Sequence, residues 1–319
     1  MLHTLPTKSY PLKELNPTDA VGGCFIPNLT FSGLTLSFAL DLFYPSPMFL
    51  THYTRLEWAY QLHYHLCFRT HRRRHIFADK TNQLSDTLNR LYEVHGYHGL
   101  EMKVRAADVQ LLLSLRPEHR ISDVLKRLKA ESSTLLCRQL EISAPLWARG
   151  YLARTSGKAR LSAVKSYLDK QGQHHGYDSR PLAPVFRFRH PTPISLSVAH
   201  AVFDLKYHVV LSTRFRNCIF DSKLGEALVK YWLEVAQRRE SALDQATVLP
   251  DHIHLLTRTT PKMSIEECVL LLMNNGQYFV GKHRSSRLIE AGIDQLWQPS
   301  AYAGSCGDLP TALLKHFLS

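Results

Sequence analysis

Two stretches of the chain share the same succession of apolar and polar positions. Residues 60–77 (YQLHYHLCFRTHRRRHIF) and 203–220 (FDLKYHVVLSTRFRNCIF) are rich in β-forming residues and continue into a basic turn. In this register Tyr64 and His65 correspond to Tyr207 and His208. Such runs are typical of β-strands bounded by turns. The chain is therefore predicted to contain an internal repeat, which governs the choice of fold.

The later elements recur as well, in the order strand, helix, two strands, helix, strand and helix. Apolar residues at helical spacing, such as Leu84, Leu88 and Leu91, predict the first helix. The predicted positions in the two copies are helices over 81–95 and 222–239, strand pairs over 100–117 and ending at 248–261, helix N-caps at Ser122 and Ser264, Leu-Trp pairs at 146–147 and 296–297, and glycines at 157 and 307.

This repeated order predicts two α+β domains, each built on an antiparallel sheet with helices. The predicted organisation is an N-terminal extension over 1–55, a first domain over 56–171, a linker over 172–198 and a second domain over 199–319. The linker is rich in Pro, His and Arg, a composition that favours an interdomain segment.

Bulk composition narrows the partner and the compartment. The formal net charge of +12 favours a polyanionic partner, with nucleic acid the leading candidate. Six dispersed cysteines without a C-x-x-C pair indicate buried thiols in a reducing cytosol. The apolar stretch over 31–50 is interrupted by Asp41, Pro45 and Pro47, so no membrane span is predicted.

The clearest candidate for chemistry is the segment DHIHLL over 251–256. On a strand, His252 and His254 project from one face while Ile253 points to the other. Two adjacent imidazoles suit a divalent metal. The alternative is a pair of strand histidines without a ligand, and for an isolated H-x-H that alternative is the more common outcome.

In combination, these motifs resemble the HUH single-tyrosine transposases of the insertion-sequence 200/605 group and their REP-associated relatives. The matching features are the Tyr-His strand with its basic turn, the P-D-H-I-H-L-L segment, the Leu-Trp element with its downstream glycine, and a helix bearing Y-x-x-x-Q. Their order recurs across 58–171, here termed the first copy, and 203–319, the second copy. The resemblance implies ferredoxin-like or RRM-like domains packed as a pseudodimer.

The resemblance also implies the active-site chemistry. Mg²⁺ or Mn²⁺ would be held by His252, His254 and Gln171, and Tyr167 would be the nucleophile that forms a 5′-phosphotyrosine with single-stranded DNA. Tyr167 and Gln171 are four residues apart on a predicted helix and therefore share a face. Without the repeat, Tyr167 would be interpreted as a helix tyrosine packed on the sheet.

Neither copy carries the whole set. The first copy keeps Tyr167 and Gln171 but has Asp108 and Gln110 in place of the histidines, and the second copy has Phe317 in place of the tyrosine. Family members resemble dimers in which each active site is shared between subunits. We therefore expect one composite site within the chain and a degenerate second site at Asp108, Gln110 and Phe317, although random decay of the two copies could leave the same pattern.

The basic turns are the predicted DNA contacts, with a solvated basic loop as the alternative. Their residues are Arg72, Arg73, Arg74, Arg214 and Arg216, and weaker candidates in the linker are Arg187, Arg189 and His190.

The expected function is metal-dependent cleavage and strand transfer of single-stranded DNA at hairpin-associated sites. The protein is expected to be cytoplasmic, at the prokaryotic nucleoid, and to act as a monomeric pseudodimer that can dimerise further. The alternative is a catalytically inactive, domesticated protein that binds hairpins.

Overall fold

The succession of helices and strands was determined from a computed structural model, which describes residues 52–142, 145–157, 163–166, 183–192 and 194–307. In chain order the elements are β1 (Glu57–Gln61), β2 (His63–Thr70), α1 (Thr81–His95), β3 (His98–Val104), β4 (Asp108–Ser114), α2 (Ile121–Gln139), β5 (Trp147–Ser156), β6 (Phe186–Arg189), β7 (Ala201–Asp204), β8 (Lys206–Thr213), α3 (Ser222–Gln237), β9 (Ser241–Leu249), β10 (His252–Thr259), α4 (Ile265–His283), α5 (Ser285–Glu290) and β11 (Trp297–Cys306).

Each copy folds as a βαββαβ unit. The four strands of the first copy lie in the order β3-β4-β2-β5, and those of the second copy in the equivalent order β9-β10-β8-β11. This antiparallel arrangement, with the first and third strands of each unit in the centre, is that of ferredoxin-like domains. The prediction of two tandem α+β domains of this class is confirmed.

A short strand immediately before each βαββαβ unit is added to the edge of the other unit's sheet. β1 pairs in parallel with β11, and β7 pairs in parallel with β5. The exchange is reciprocal, so the two copies are joined as a symmetric dimer would be. It also means that the sheets cross the predicted division between the domains, which the local sequence pattern does not indicate.

Two hydroxyl groups join the copies at the centre of this exchange. Each hydroxyl accepts from a backbone N–H at the start of the other copy's first strand. It also donates to a backbone carbonyl at the end of the other copy's last strand. The bonds are those of Thr155 Oγ1 with Lys206 N (3.0 Å) and Cys306 O (2.5 Å), and of Ser305 Oγ with His63 N (3.0 Å) and Ser156 O (2.5 Å).

Close backbone approach explains the two repeated glycines. A Cβ on Gly157 would lie 2.0 Å from the carbonyl oxygen of Ser305, and one on Gly307 would lie 2.5 Å from that of Thr155. Side chains at these two positions would separate the copies. Beside them the fully buried rings of Tyr64 and Tyr207 lie 6.3 Å apart, so the equivalent residues of the repeat contact each other across the interface.

The predicted N-caps differ between the copies. Ser264 caps α4 and forms a capping box with Glu267, as predicted. The prediction for Ser122 is wrong, because α2 begins at Ile121 and its N-cap is Arg120, without a side-chain cap. The N–H of Ser122 donates instead to the carbonyl of Pro261 in the other copy, at 2.9 Å, which replaces a cap.

Three further findings complete the fold. The predicted linker contains β6, which pairs with β9 and covers the edge of the second sheet. The five described cysteines are all free thiols, but the prediction that they are buried is wrong for two of them, because Cys137 is half-buried and Cys218 is exposed. No helix in the described part of the chain has the length and apolarity needed to cross a membrane.

Candidate active site on the histidine strand

The paired histidines lie on the face of the second sheet that points away from the core containing Ile253 and Leu255. Because side chains alternate along β10, His252, His254 and Leu256 share this face, whereas Ile253 and Leu255 point into the core. The two imidazole rings lie 5.0 Å apart between centroids. They are only 2% and 4% exposed, so this face is covered, unlike the open face of an isolated ferredoxin-like domain.

Asp251 fixes the orientation of His252. One carboxylate oxygen lies 2.5 Å from His252 Nδ1, and the other lies 2.8 Å from Arg216 Nε. A carboxylate only accepts, so His252 Nδ1 carries the proton and Nε2 carries the lone pair that can bind a metal. Arg216, expected in a DNA-binding turn, is therefore tied to the histidine strand, with 47% of its side chain exposed.

His208 on the neighbouring strand holds His254 in the same way. Its Nε2 lies 3.0 Å from His254 Nδ1, and the two rings are stacked 5.3 Å apart with an interplanar angle of 11°. Burial lowers the pKa of His208 to about 4, so its ring is neutral at pH 7 and can accept the proton of His254 Nδ1. When His254 Nδ1 is the donor in this contact, the lone pair of His254 lies on Nε2.

Sequence reasoning missed the roles of Asp251 and His208. In the sequence His208 stands out only as part of the repeated Tyr-His pair, and nothing there indicates that it contacts β10. Asp251 immediately precedes the histidine pair, which was a usable signal, since histidines that bind metals commonly donate their second N–H to a carboxylate.

A short helical segment of the first copy packs against this face of the second copy. Residues 163–166 are helical, and Val164, only 6% exposed, is buried in a cluster with Leu256 and Cys306. Leu256 lies two residues beyond His254 on the same face of β10. Tyr167 follows this segment directly in the chain, but Tyr167, Gln171 and Phe317 lie outside the described residues.

The equivalent face of the first copy is built differently. Asp108 and Gln110 occupy the positions of the two histidines, and Ala107 occupies that of Asp251. Asp108 accepts from Arg105 Nε and Nη2, at 2.9 and 2.8 Å, and Gln110 hydrogen-bonds to His65. The carboxylate of Asp108 is therefore neutralised by an arginine, which favours a structural role.

The remaining basic residues do not converge on the histidines. Arg72 and Arg73 are exposed at a turn where both have positive φ, of 53° and 54°. Arg74 Nη2 donates to the carbonyl of Pro145 at 2.5 Å, and Arg214 packs over the ring of Phe215 at 4.7 Å. Arg72 and Arg73 thus present the most accessible charges of the first basic turn.

The donor set fits a divalent metal in part. Two imidazoles share one face, and the second nitrogen of each is held by a neighbouring side chain, which is the usual environment of histidine ligands. Within the described ranges, no group of three His, Cys, Asp or Glu side chains is arranged to hold a metal ion. A complete site would require a further ligand, and the predicted one is Gln171.

Tandem ferredoxin-like units with paired histidines on the third strand of one unit define a protein of the HUH class. The profile of the family described as "Transposase IS200 like" matches residues 58–171 and 201–319. The chain belongs to this family of transposases, with two copies of the family domain in tandem.

Individual relatives match one copy at a time. The ISDra2 transposase TnpA of Deinococcus radiodurans is 27% identical over 101 residues, which are 31% of this chain and 71% of that protein. A solved structure of a candidate transposase from the same organism is 27% identical and covers 35% of this chain and 92% of its own, with a TM-score of 0.30. A REP-associated tyrosine transposase bound to a REP hairpin is 14% identical and covers 39% and 68%, with a TM-score of 0.23.

Proposed function

We propose that the chain cleaves single-stranded DNA, with divalent metal, at one active site shared between its two copies. In this proposal the second copy supplies His252 and His254, and the first copy supplies Tyr167 and Gln171. The observation that carries the proposal is the burial of Val164 against Leu256, since the segment that leads into Tyr167 packs on the face of β10 that bears both histidines.

The proposed reaction is a transesterification at one phosphate. The phenol oxygen of Tyr167 attacks phosphorus, and the bond between phosphorus and the 3′ oxygen breaks. The phenol loses its proton, and the 3′ oxygen gains one and leaves as a hydroxyl group. The DNA 5′ phosphate remains attached to Tyr167. A bound Mg²⁺ or Mn²⁺ would polarise the scissile phosphate.

The residues around the histidines prepare this step. In this proposal Asp251 and His208 accept from Nδ1 of the two imidazoles, so both ligands are oriented with Nε2 as the metal-binding nitrogen before metal or DNA arrives. Burial of both rings excludes bulk water and strengthens electrostatic interactions at the site. The exposed Arg72 and Arg73 are proposed to contact DNA phosphates.

Hairpin-flanked target sites, strand transfer and action in the cytoplasm are part of the same proposal. They are supported by family membership and by the positive net charge of +12. One nucleophilic tyrosine per chain limits rejoining, because two DNA ends need two nucleophiles at once or one nucleophile in sequence. Strand transfer would therefore use two copies of the chain or two successive reactions.

The experiment is to incubate the purified chain with Mn²⁺ and a labelled single-stranded oligonucleotide that carries a hairpin. A protein-DNA adduct on Tyr167, identified by mass spectrometry, is the expected product. It should be absent with EDTA, in Tyr167→Phe, which lacks the phenol oxygen, and in His252→Ala.

Full adduct formation by Tyr167→Phe would overturn the assignment of the nucleophile. Binding of the hairpin without cleavage, under any divalent metal, would instead support the inactive hairpin-binding protein.

A further inference from the structure

A groove of about 390 Å³ lies in the first copy between α2 and the start of β5. Its apolar lining includes Leu125, Leu146 and Trp147, and the half-buried ring of Tyr151 also lines it. None of the lining residues belongs to the histidine site. A volume of this size is within the range of small-ligand pockets.

In the second copy the corresponding crevice is filled by Tyr53 of the same chain. Tyr53, 7% exposed, donates from its backbone N to Asn274 Oδ1 at 2.6 Å. Its hydroxyl donates to the carbonyl of Trp297 at 2.9 Å and accepts from the N–H of Trp297 at 3.0 Å. In the repeat register Asn274 and Trp297 correspond to Ala130 and Trp147, which both line the groove of the first copy.

The position of Tyr53 indicates the shape of a ligand that would fit the groove of the first copy. The crevice between the long helix and the Leu-Trp strand accommodates one planar aromatic ring with a polar edge. In the first copy no tyrosine takes that place among the described residues, and smaller side chains, Ala130 and Ser133, replace Asn274 and Gln277.

Charge defines the ligand further. Lys126 and Arg149 are exposed at the groove, whereas the second copy has Leu270 and Pro299 at the corresponding positions. Lys129 Nζ donates to the carbonyls of Ala148 and Arg149, at 2.6 and 3.0 Å, and so secures the rim. An aromatic-lined groove with cations at its mouth suits a planar ring attached to an anion.

The first basic turn is continuous with this groove. The N–H of His71 donates to the carbonyl of Leu146 at 2.7 Å, and the exposed Arg72 and Arg73 follow His71 directly. A strand of nucleic acid that passes the turn would therefore reach the groove.

We infer that this groove binds one unpaired nucleotide of the DNA. Its base lies beside Tyr151 and Trp147 in the place that Tyr53 takes in the second copy, and its phosphates contact Lys126 and Arg149. The inference rests on the proposed function, and it assigns the recognition of unpaired DNA to the first copy.

The test uses the full-length protein in EDTA, where cleavage cannot occur, with a fluorescein-labelled 20-nucleotide oligothymidylate. Tyr151→Ala should weaken binding about tenfold in fluorescence anisotropy, because one base-stacking contact is lost. Tyr151→Phe keeps the ring and should bind as the wild type does. Lys126→Glu should reduce the slope of log K against log salt by about one contact, and Lys230→Glu, an equal charge change on α3, should not.

Photo-crosslinking protects the test from a folding defect in Tyr151→Ala. An oligonucleotide with 5-bromodeoxyuridine should crosslink the wild-type protein within residues 145–151. Normal binding by Tyr151→Ala together with crosslinks elsewhere would overturn the inference while leaving cleavage at the histidine site intact. A wild-type protein that binds no single-stranded DNA would overturn both proposals.

Discussion

The two copies have the same backbone fold but differ in the sheet face that points away from the core. In β10 every residue from His252 to Leu256 is buried, whereas β4 alternates between buried core residues and half-buried outward residues from Asp108 to Ser114. The sheet face that carries the paired histidines is therefore covered, whereas the face that carries Asp108 and Gln110 is partly open.

The residues that contact these outward side chains also differ between the copies. In the second copy Asp251 and His208 orient both histidines. In the first copy Ala107 replaces the aspartate, and Arg105 engages Asp108. The reverse holds on the helix side, where the groove is closed by Tyr53 in the second copy and open in the first. In this account the histidines of the shared active site lie on the second copy, and the groove proposed for unpaired DNA lies on the first.

Loss of a histidine should have the largest effect. His254→Ala removes one of the two imidazoles, and we expect cleavage to fall by about 10³-fold or more, because metal stabilisation of the scissile phosphate provides several kcal/mol. Gln110→Ala, at the corresponding position of the first copy, should cleave normally. Adduct formation measured under single-turnover conditions distinguishes them, and equal losses would contradict the assignment of one site.

Disruption of the contact between the copies should come next. Val164→Asp places an unpaired carboxylate against Leu256 and Cys306, which we expect to displace the tyrosine segment and to slow cleavage by about 10²-fold. Metal affinity should fall less than in His254→Ala, since both histidines remain and only the proposed ligand Gln171 is displaced with Tyr167.

Lys165→Asp is the matched control, because Lys165 is exposed beside Val164. If the two variants cleave equally well, Val164 does not hold the tyrosine segment in place.

A smaller effect is expected when the second copy is made to resemble the first. Asp251→Ala reproduces the alanine of the first copy and releases His252 Nδ1, so affinity for Mn²⁺ should fall about 10- to 100-fold in isothermal titration calorimetry. Asp108→Ala should leave the affinity unchanged. Undiminished Mn²⁺ affinity in Asp251→Ala would mean that the carboxylate does not orient the ligand.

Local sequence patterns predict the helices and the faces of the strands. Alternation along 251–256 predicted which side chains share a face, and the spacing of Leu84, Leu88 and Leu91 predicted α1 with its observed bounds. These features depend on local periodicity, which a single sequence displays directly.

What the sequence did not predict depends on partners distant in the chain. Three contacts join segments whose local sequence patterns do not indicate that they meet. They are the exchange of β1 and β7, the contact of His208 with His254, and the packing of Tyr53 into the second copy. Arg216 illustrates the same limit, because a basic turn predicts a phosphate contact whether or not an aspartate lies nearby.

The last predicted effect is on stability and concerns the two hydroxyl groups that bridge the copies. Thr155→Val and Ser305→Ala each remove a hydroxyl that bridges them, and each should lower the free energy of unfolding by about 1–3 kcal/mol, since backbone partners are left unpaired. Differential scanning calorimetry should show similar losses of Tm for the two variants. A large loss in one alone would show that the join is not symmetric in energy.

The central claim is that one chain holds one complete site, with Tyr167 and the histidines in the same molecule. The most direct test mixes two full-length variants, Tyr167→Phe and His252→Ala, each of which lacks one half of the site. If the site forms within a chain, the wild type gives the adduct on Tyr167 while each variant and the mixture give none. Adduct formation in the mixture would contradict the claim, because it would require the tyrosine of one chain to reach the histidines of another.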